Sequence, residues 1–163
     1  MTKLISNSLE ETQKIANDFV NSISQGEALG ATIVGLYGEL GAGKTTLTQM
    51  IAKSFGVSDI VTSPTFVIMK VYELNSESQK NTYFVQHRVL NKIGFEHLVH
   101  IDAYRIENSS ELLHLGWQEI ISDPGNLILI EWPERVSDIM PDHIKINLKT
   151  LENESSRELD IIL

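Results

Sequence analysis

A chain of 163 residues with 42% hydrophobic and 21% charged positions has the make-up of one globular domain over 1–163, and global disorder is excluded. The absence of cysteine rules out disulfide scaffolds, Cys-ligated zinc, iron–sulfur clusters and thiol nucleophiles. A net charge of −9 argues against broad electrostatic gripping of nucleic acid. The opening MTKLISNSLEETQK lacks the apolar run of a signal peptide, and no apolar stretch is long enough to span a bilayer. The expected location is therefore the cytoplasm.

In chain order, Ser8 with Glu11 three residues on forms a capping-box pattern. Ile15, Ala16, Phe19, Val20 and Ile23 then recur at helical spacing, with Gly26 as a stop. Thr32–Tyr37 is a short apolar run, read as a buried strand. A glycine-rich stretch, Gly38 to Thr45, leads into a helix from Lys44 to Phe55, with Leu47, Met50, Ile51 and Phe55 on one face and Gly56 closing it. Phe66–Tyr72 reads as a strand, residues 73–81 as a polar loop tip, and 82–96 as ambiguous between a strand at Tyr83–Val85 and a short helix at Arg88–Ile93. Leu98–Asp102 is a further strand. Ser109 or Ser110 caps a helix bearing Leu112, Leu113 and Leu115. Leu127–Glu131 is an apolar strand ending in an acid, Pro133 opens a short turn, and Ile144–Leu148 and Glu158–Leu163 alternate as a C-terminal β-hairpin. Strands interleaved with helices predict an α/β fold of three layers around a largely parallel central sheet.

The chemistry is carried by Gly38-Glu39-Leu40-Gly41-Ala42-Gly43-Lys44-Thr45, which matches the phosphate-binding pattern G-x-x-x-x-G-K-[ST]. Glycines let the backbone turn its N–H groups inward as a nest for phosphate oxygens, and the helix beginning there adds its own unpaired N–H groups. In such a loop the lysine reaches the β- and γ-phosphates and the hydroxyl of Thr45 ligates Mg²⁺. Turnover also requires an acid near the metal. Asp102 and Glu131 each end an apolar strand, where open α/β sheets bind ligands, and either suits that role. His100 reads as a packing or hydrogen-bonding residue rather than a base. His97 lies three positions away and faces the opposite side, which argues against a His–His metal pair. Ser63-Pro64-Thr65 has the hydroxyls of a segment that senses the terminal phosphate. A GTPase would need N-K-x-D; Asn91-Lys92-Ile93-Gly94 lacks the base-reading acid. A small-molecule kinase remains open, although the four arginines are scattered and supply no cationic lid. A nucleotide-sensing module with little turnover is equally compatible with these motifs.

The segments LYGELGAGKTTL, SPTF, HIDAYR and IEWPER, in that order, resemble the TsaE (YjeE) family, small ATPases required for making threonylcarbamoyladenosine in tRNA. The likeness covers most of residues 8–135, with a weaker fit of Ser8–Thr12, a candidate base contact. The resemblance implies that Lys44 and its loop, through Thr46, bind the ATP phosphates. It also implies that Thr45 and Glu131 hold Mg²⁺, with Asp102 the neighbouring acid. Thr65 would be the switch-like residue and Trp132 would lie beside the nucleotide. Arg105 and Arg135 would serve conformation or partner contact. It further implies ATP hydrolysis that is slow alone and resets a complex of TsaB- and TsaD-like partners, with no strong direct grip on RNA. One departure stands out: residues 73–97 are longer than the hairpin connection expected there, an insertion or an extended hairpin.

Overall fold

A computed structural model of the chain describes residues 1–23, 30–57, 59–74, 94–153 and 155–163. Seven strands form one sheet: β1 (Thr2–Ser6), β2 (Thr32–Tyr37), β3 (Met69–Glu73), β4 (His97–Asp102), β5 (Asn126–Glu131), β6 (Ile144–Thr150) and β7 (Arg157–Ile162). The helices are α1 (Leu9–Ser22), α2 (Lys44–Ser54), α3 (Ser110–His114) and α4 (Trp117–Ser122), with a 3-10 turn at Pro133–Val136. The spatial order is β1-β7-β6-β2-β5-β4-β3. The central four, β6-β2-β5-β4, run parallel, and the flanking strands pair antiparallel.

Three layers follow from period-two alternation in strands covered on both sides. Val34 and Leu36, Leu98, Leu127 and Leu129, Ile146 and Leu148 point to one face, where they meet Ala16, Phe19 and Val20 of α1 and Leu47 and Ile51 of α2. Ile33, Val99, Ile101, Ile128 and Ile130 point to the other, against Leu112, Trp117 and Val136. The α1–α2 seam is pinned by Gln13 Nε2 donating to Met50 O (3.1 Å) and Ser54 Oγ to Asn17 Oδ1 (2.6 Å).

Several elements differ from expectation in instructive ways. The edge strand β1 is not apparent in the sequence; it exists because Thr2–Ser6 pairs with Arg157–Ile162 at the far end of the chain. Ser8 does cap α1, accepting from Glu11 N (3.2 Å), but the Glu11 carboxylate reaches back to Asn7 N (2.7 Å), one residue further than a simple capping box. The helix closes at Ser22, with Ile23 as an extended cap; Gly26 lies outside the described residues. Phe66 and Val67 are exposed and precede β3, because Val67 N and Ile68 N both donate to Pro64 O and fold 64–68 into a turn. The helix expected at Ser110 ends at His114, so Leu115 is its cap, and a second short helix around the buried Trp117 follows the left-handed Gly116. The readings of Tyr83–Val85 and Arg88–Ile93, and residues 75–81 of the expected loop tip, lie outside the described residues; Leu74 N donates to Glu96 O (2.8 Å). No helix among the described residues is long and apolar enough to cross a membrane.

Candidate functional site

The site is built where β2 stops and α2 begins. Gly38 leaves β2 with φ +138°, and a Cβ there would lie 2.3 Å from Leu148 O of β6. Glycine is thus required by close backbone approach as well as by conformation. The loop ends at Gly43 (φ +104°), the N-cap of α2, which offers no side-chain hydrogen bond to the first N–H groups of the helix.

Lys44 is buried. Its Nζ donates to Gly38 O (2.6 Å) and Glu39 O (2.9 Å) of its own loop and sits 3.8 Å from the centroid of the Trp132 ring. Burial pulls its pKa below the usual lysine value, against the opposing pull of the Glu131, Glu134, Asp102 and Glu39 carboxylates. The ammonium is therefore held by two neutral carbonyl acceptors and an aromatic face, with no carboxylate hydrogen-bonded to it, an arrangement that an anionic acceptor can displace. Trp132 takes this position because it is left-handed (φ +59°), an uncommon conformation for a large side chain, with its N–H on Leu36 O (3.3 Å). Tyr104 packs against it with centroids 5.2 Å apart.

Two carboxylates end adjacent strands. Asp102 and Glu131 are direct register partners across the parallel β4–β5 pair, so both lie at the carboxyl edge beside the loop. Each has a different environment. Glu131 is buried and uses its two oxygens separately: Oε2 accepts from Thr45 Oγ1 (3.0 Å), and Oε1 lies 2.9 Å from His100 Nε2. Asp102 is buried too, but its Oδ2 accepts from Ser63 Oγ (2.7 Å) and Thr65 Oγ1 (2.5 Å), and its Oδ1 from Tyr104 N (3.0 Å). Thr45 and Glu131 are thus brought together as a hydroxyl–carboxylate pair, whereas Asp102 organises the 63–65 segment. Among the described residues no three His, Cys, Asp or Glu side chains converge on a metal-sized point. The residues that could hold a cation here are Thr45 and Glu131, one hydroxyl and one carboxylate.

A cleft of about 280 Å³ adjoins the loop. It is lined by Ser8, Leu9 and Thr12 at the start of α1, by Gly41–Gly43 and Thr46, and by Leu148, Ser155, Arg157 and Leu159. Arg157 is fixed there by Nε donating to Ala42 O (3.1 Å). The Ser8–Thr12 segment is where a base contact was expected. The contribution of β6–β7 has no signal in the sequence, since an alternating C-terminal hairpin says nothing of which loop it covers. Arg105 lies over the Phe66 ring, 4.3 Å from its centroid, and Arg135 is exposed on the 3-10 turn.

Fold and loop define the class: an α/β protein whose parallel strands bring a lysine-bearing glycine loop and two carboxylates to one edge. A family model described as "Threonylcarbamoyl adenosine biosynthesis protein TsaE" matches residues 6–159, and the chain belongs to the TsaE family. The tRNA threonylcarbamoyladenosine biosynthesis protein TsaE of Rickettsia prowazekii is 35% identical over 149 residues, covering 90% of this chain and 85% of the relative. Its Bacillus subtilis counterpart is 33% identical over 141 residues, covering 86% and 72%. Among solved structures, Bacillus subtilis YdiB superposes with a TM-score of 0.67 at 26% identity, covering 98% of this chain and 83% of that one.

Proposed function

We propose that this protein is a Mg²⁺-dependent ATPase that serves tRNA threonylcarbamoyladenosine synthesis as an accessory subunit, acting on a complex of TsaB- and TsaD-like proteins in the cytoplasm. The observation that carries the reading is the junction of Lys44 and Thr45 with Glu131: a buried ammonium resting on displaceable acceptors, and a hydroxyl 3.0 Å from a buried carboxylate, at the N-terminus of an 11-residue helix. The names of the relatives supply the pathway.

In this reading the backbone from Gly38 to Gly43 cradles the phosphates, and Lys44 leaves the carbonyls of Gly38 and Glu39 for phosphate oxygens. Thr45 and Glu131 hold Mg²⁺, which when bound neutralises charge on those oxygens. Thr46 and the Ser8–Thr12 wall bind the nucleoside side in the 280 Å³ cleft. Asp102 holds Thr65 and Ser63 in a geometry that a terminal phosphate can disturb, which makes this segment the reporter of nucleotide state. Trp132 closes the site over Lys44.

Calorimetric titration with ATP and ADP, with and without Mg²⁺, tests the reading. Binding by the wild type is expected, with loss in Lys44→Ala. Hydrolysis is expected to be slow for the chain alone and faster with the partner pair. Failure of the wild type to bind either nucleotide overturns the proposal.

A further inference from the structure

His100 is fully buried, yet it is a costly choice for a core position. It lies on the sheet face that carries Leu98 and Leu129, and no described residue offers a hydrogen-bond partner to its Nδ1. An aliphatic side chain at this place would leave no polar atom stranded. What the imidazole does provide is one contact: Nε2 at 2.9 Å from Glu131 Oε1.

That contact decides how Glu131 is presented. A carboxylate at the end of β5 has two oxygens and can rotate about its terminal bond. With Oε1 held by His100 behind it, Oε2 is the oxygen directed at Thr45 Oγ1, 3.0 Å away. Backbone register makes the arrangement stiff: His100 pairs with Leu129 and Asp102 with Glu131 across β4–β5, so the imidazole sits two residues behind the acid on the same face.

We propose that His100 is a positioning residue that fixes the rotamer of Glu131 through a hydrogen bond from Nε2–H to Oε1, so that Oε2 alone is offered beside Thr45 to a divalent cation. This rests on reading the Lys44–Thr45–Glu131 site as one for Mg²⁺ and nucleotide. It assigns His100 no proton transfer. Because an ionised carboxylate only accepts, Nε2 carries the hydrogen. Partners that orient a ligating carboxylate typically change metal affinity by about 10–100-fold when removed.

The experiment measures ADP affinity across a Mg²⁺ series by calorimetry for wild type, His100→Leu and His100→Gln. In His100→Leu the Mg²⁺ concentration giving half of the Mg²⁺-dependent tightening is expected to rise about 10-fold or more. Affinity for ADP without Mg²⁺ should stay within about twofold. His100→Gln places an amide donor near the position of Nε2 and should recover most of the loss. Wild-type Mg²⁺ dependence in His100→Leu, or equal losses in the Leu and Gln variants, overturns the proposal and leaves the nucleotide reading standing. If the wild type itself binds ADP without regard to Mg²⁺, the nucleotide–Mg²⁺ reading fails and this proposal with it. Should the Leu variant not fold, long-range ¹H–¹⁵N spectra of the wild-type imidazoles decide: protonated Nε2 on His100 is expected, and a tautomer protonated on Nδ1 alone refutes the assignment.

Discussion

Replacing Gly38 by alanine separates what the loop needs from what its pattern merely permits. The new Cβ would stand 2.3 Å from the Leu148 carbonyl oxygen, where ordinary contact begins near 3.4 Å, and that oxygen is backbone and cannot swing aside. The loop and β6 must part by about 1 Å, an overpacking that costs about 1–3 kcal/mol. Holding alanine at φ +138° adds about 1–3 kcal/mol, and the stiffer unfolded chain returns about 0.4–1 kcal/mol. The net loss is about 3 kcal/mol, a substantial part of the roughly 5–15 kcal/mol that holds a domain together. Gly41 supplies the control: it has φ +80° but nothing within 4 Å of an added Cβ. Gly41→Ala therefore carries strain alone and should cost about 1 kcal/mol after the unfolded-state gain. Thermal and urea unfolding followed by circular dichroism should place the Gly38→Ala midpoint roughly 6–12 °C below wild type. Its ADP affinity should also fall, because Leu148 lines the cleft and Gly38 O faces Lys44. Equal stabilities for the two variants, within about 1 kcal/mol, would refute the close-approach argument.

Two further outcomes are expected. Ser8→Ala removes the oxygen that accepts from Glu11 N and should destabilise the chain by about 1 kcal/mol in urea titrations. Tyr37 gives a pH effect whose sign is fixed. Its hydroxyl donates to His143 Nε2 (2.8 Å), since His143 Nδ1 must donate to Pro141 O (2.7 Å). Burial, and then the Glu134 charge, raises the pKa of Tyr37 above its ordinary 10.0. The unfolded chain therefore loses this proton first, and stability falls as pH rises above that value. Tyr37→Phe should be less stable by about 1 kcal/mol near pH 8 and should show a shallower alkaline decline, read from urea midpoints at about pH 8 and about pH 11.

How much of this was legible in the sequence depends on range. The glycine loop, the strand before it and the helix after it were readable because each rests on neighbours within a few residues: Gly43 in a left-handed conformation, Leu47 and Ile51 on one helix face, alternation through β2. The acids at Asp102 and Glu131 were readable as strand ends for the same reason. The turn at 64–68 was not, because Phe66-Val67-Ile68 has strand composition and only the two N–H groups collected by Pro64 O bend it.

The sequence by itself determined the α/β class, the loop that bears Lys44 and Thr45, and the family to which the chain belongs. Tertiary structure alone decided which strands are neighbours. β5 lies between β2 and β4, and so Glu131 meets both Thr45 and His100. It placed Arg157 against the loop, laid Trp132 over Lys44, and gave β1 a partner at the opposite end of the chain. The physical reason is that periodicity fixes which way a side chain faces within its own element, while pairing between distant strands is set by the joint burial of two sheet faces, a property of the whole chain.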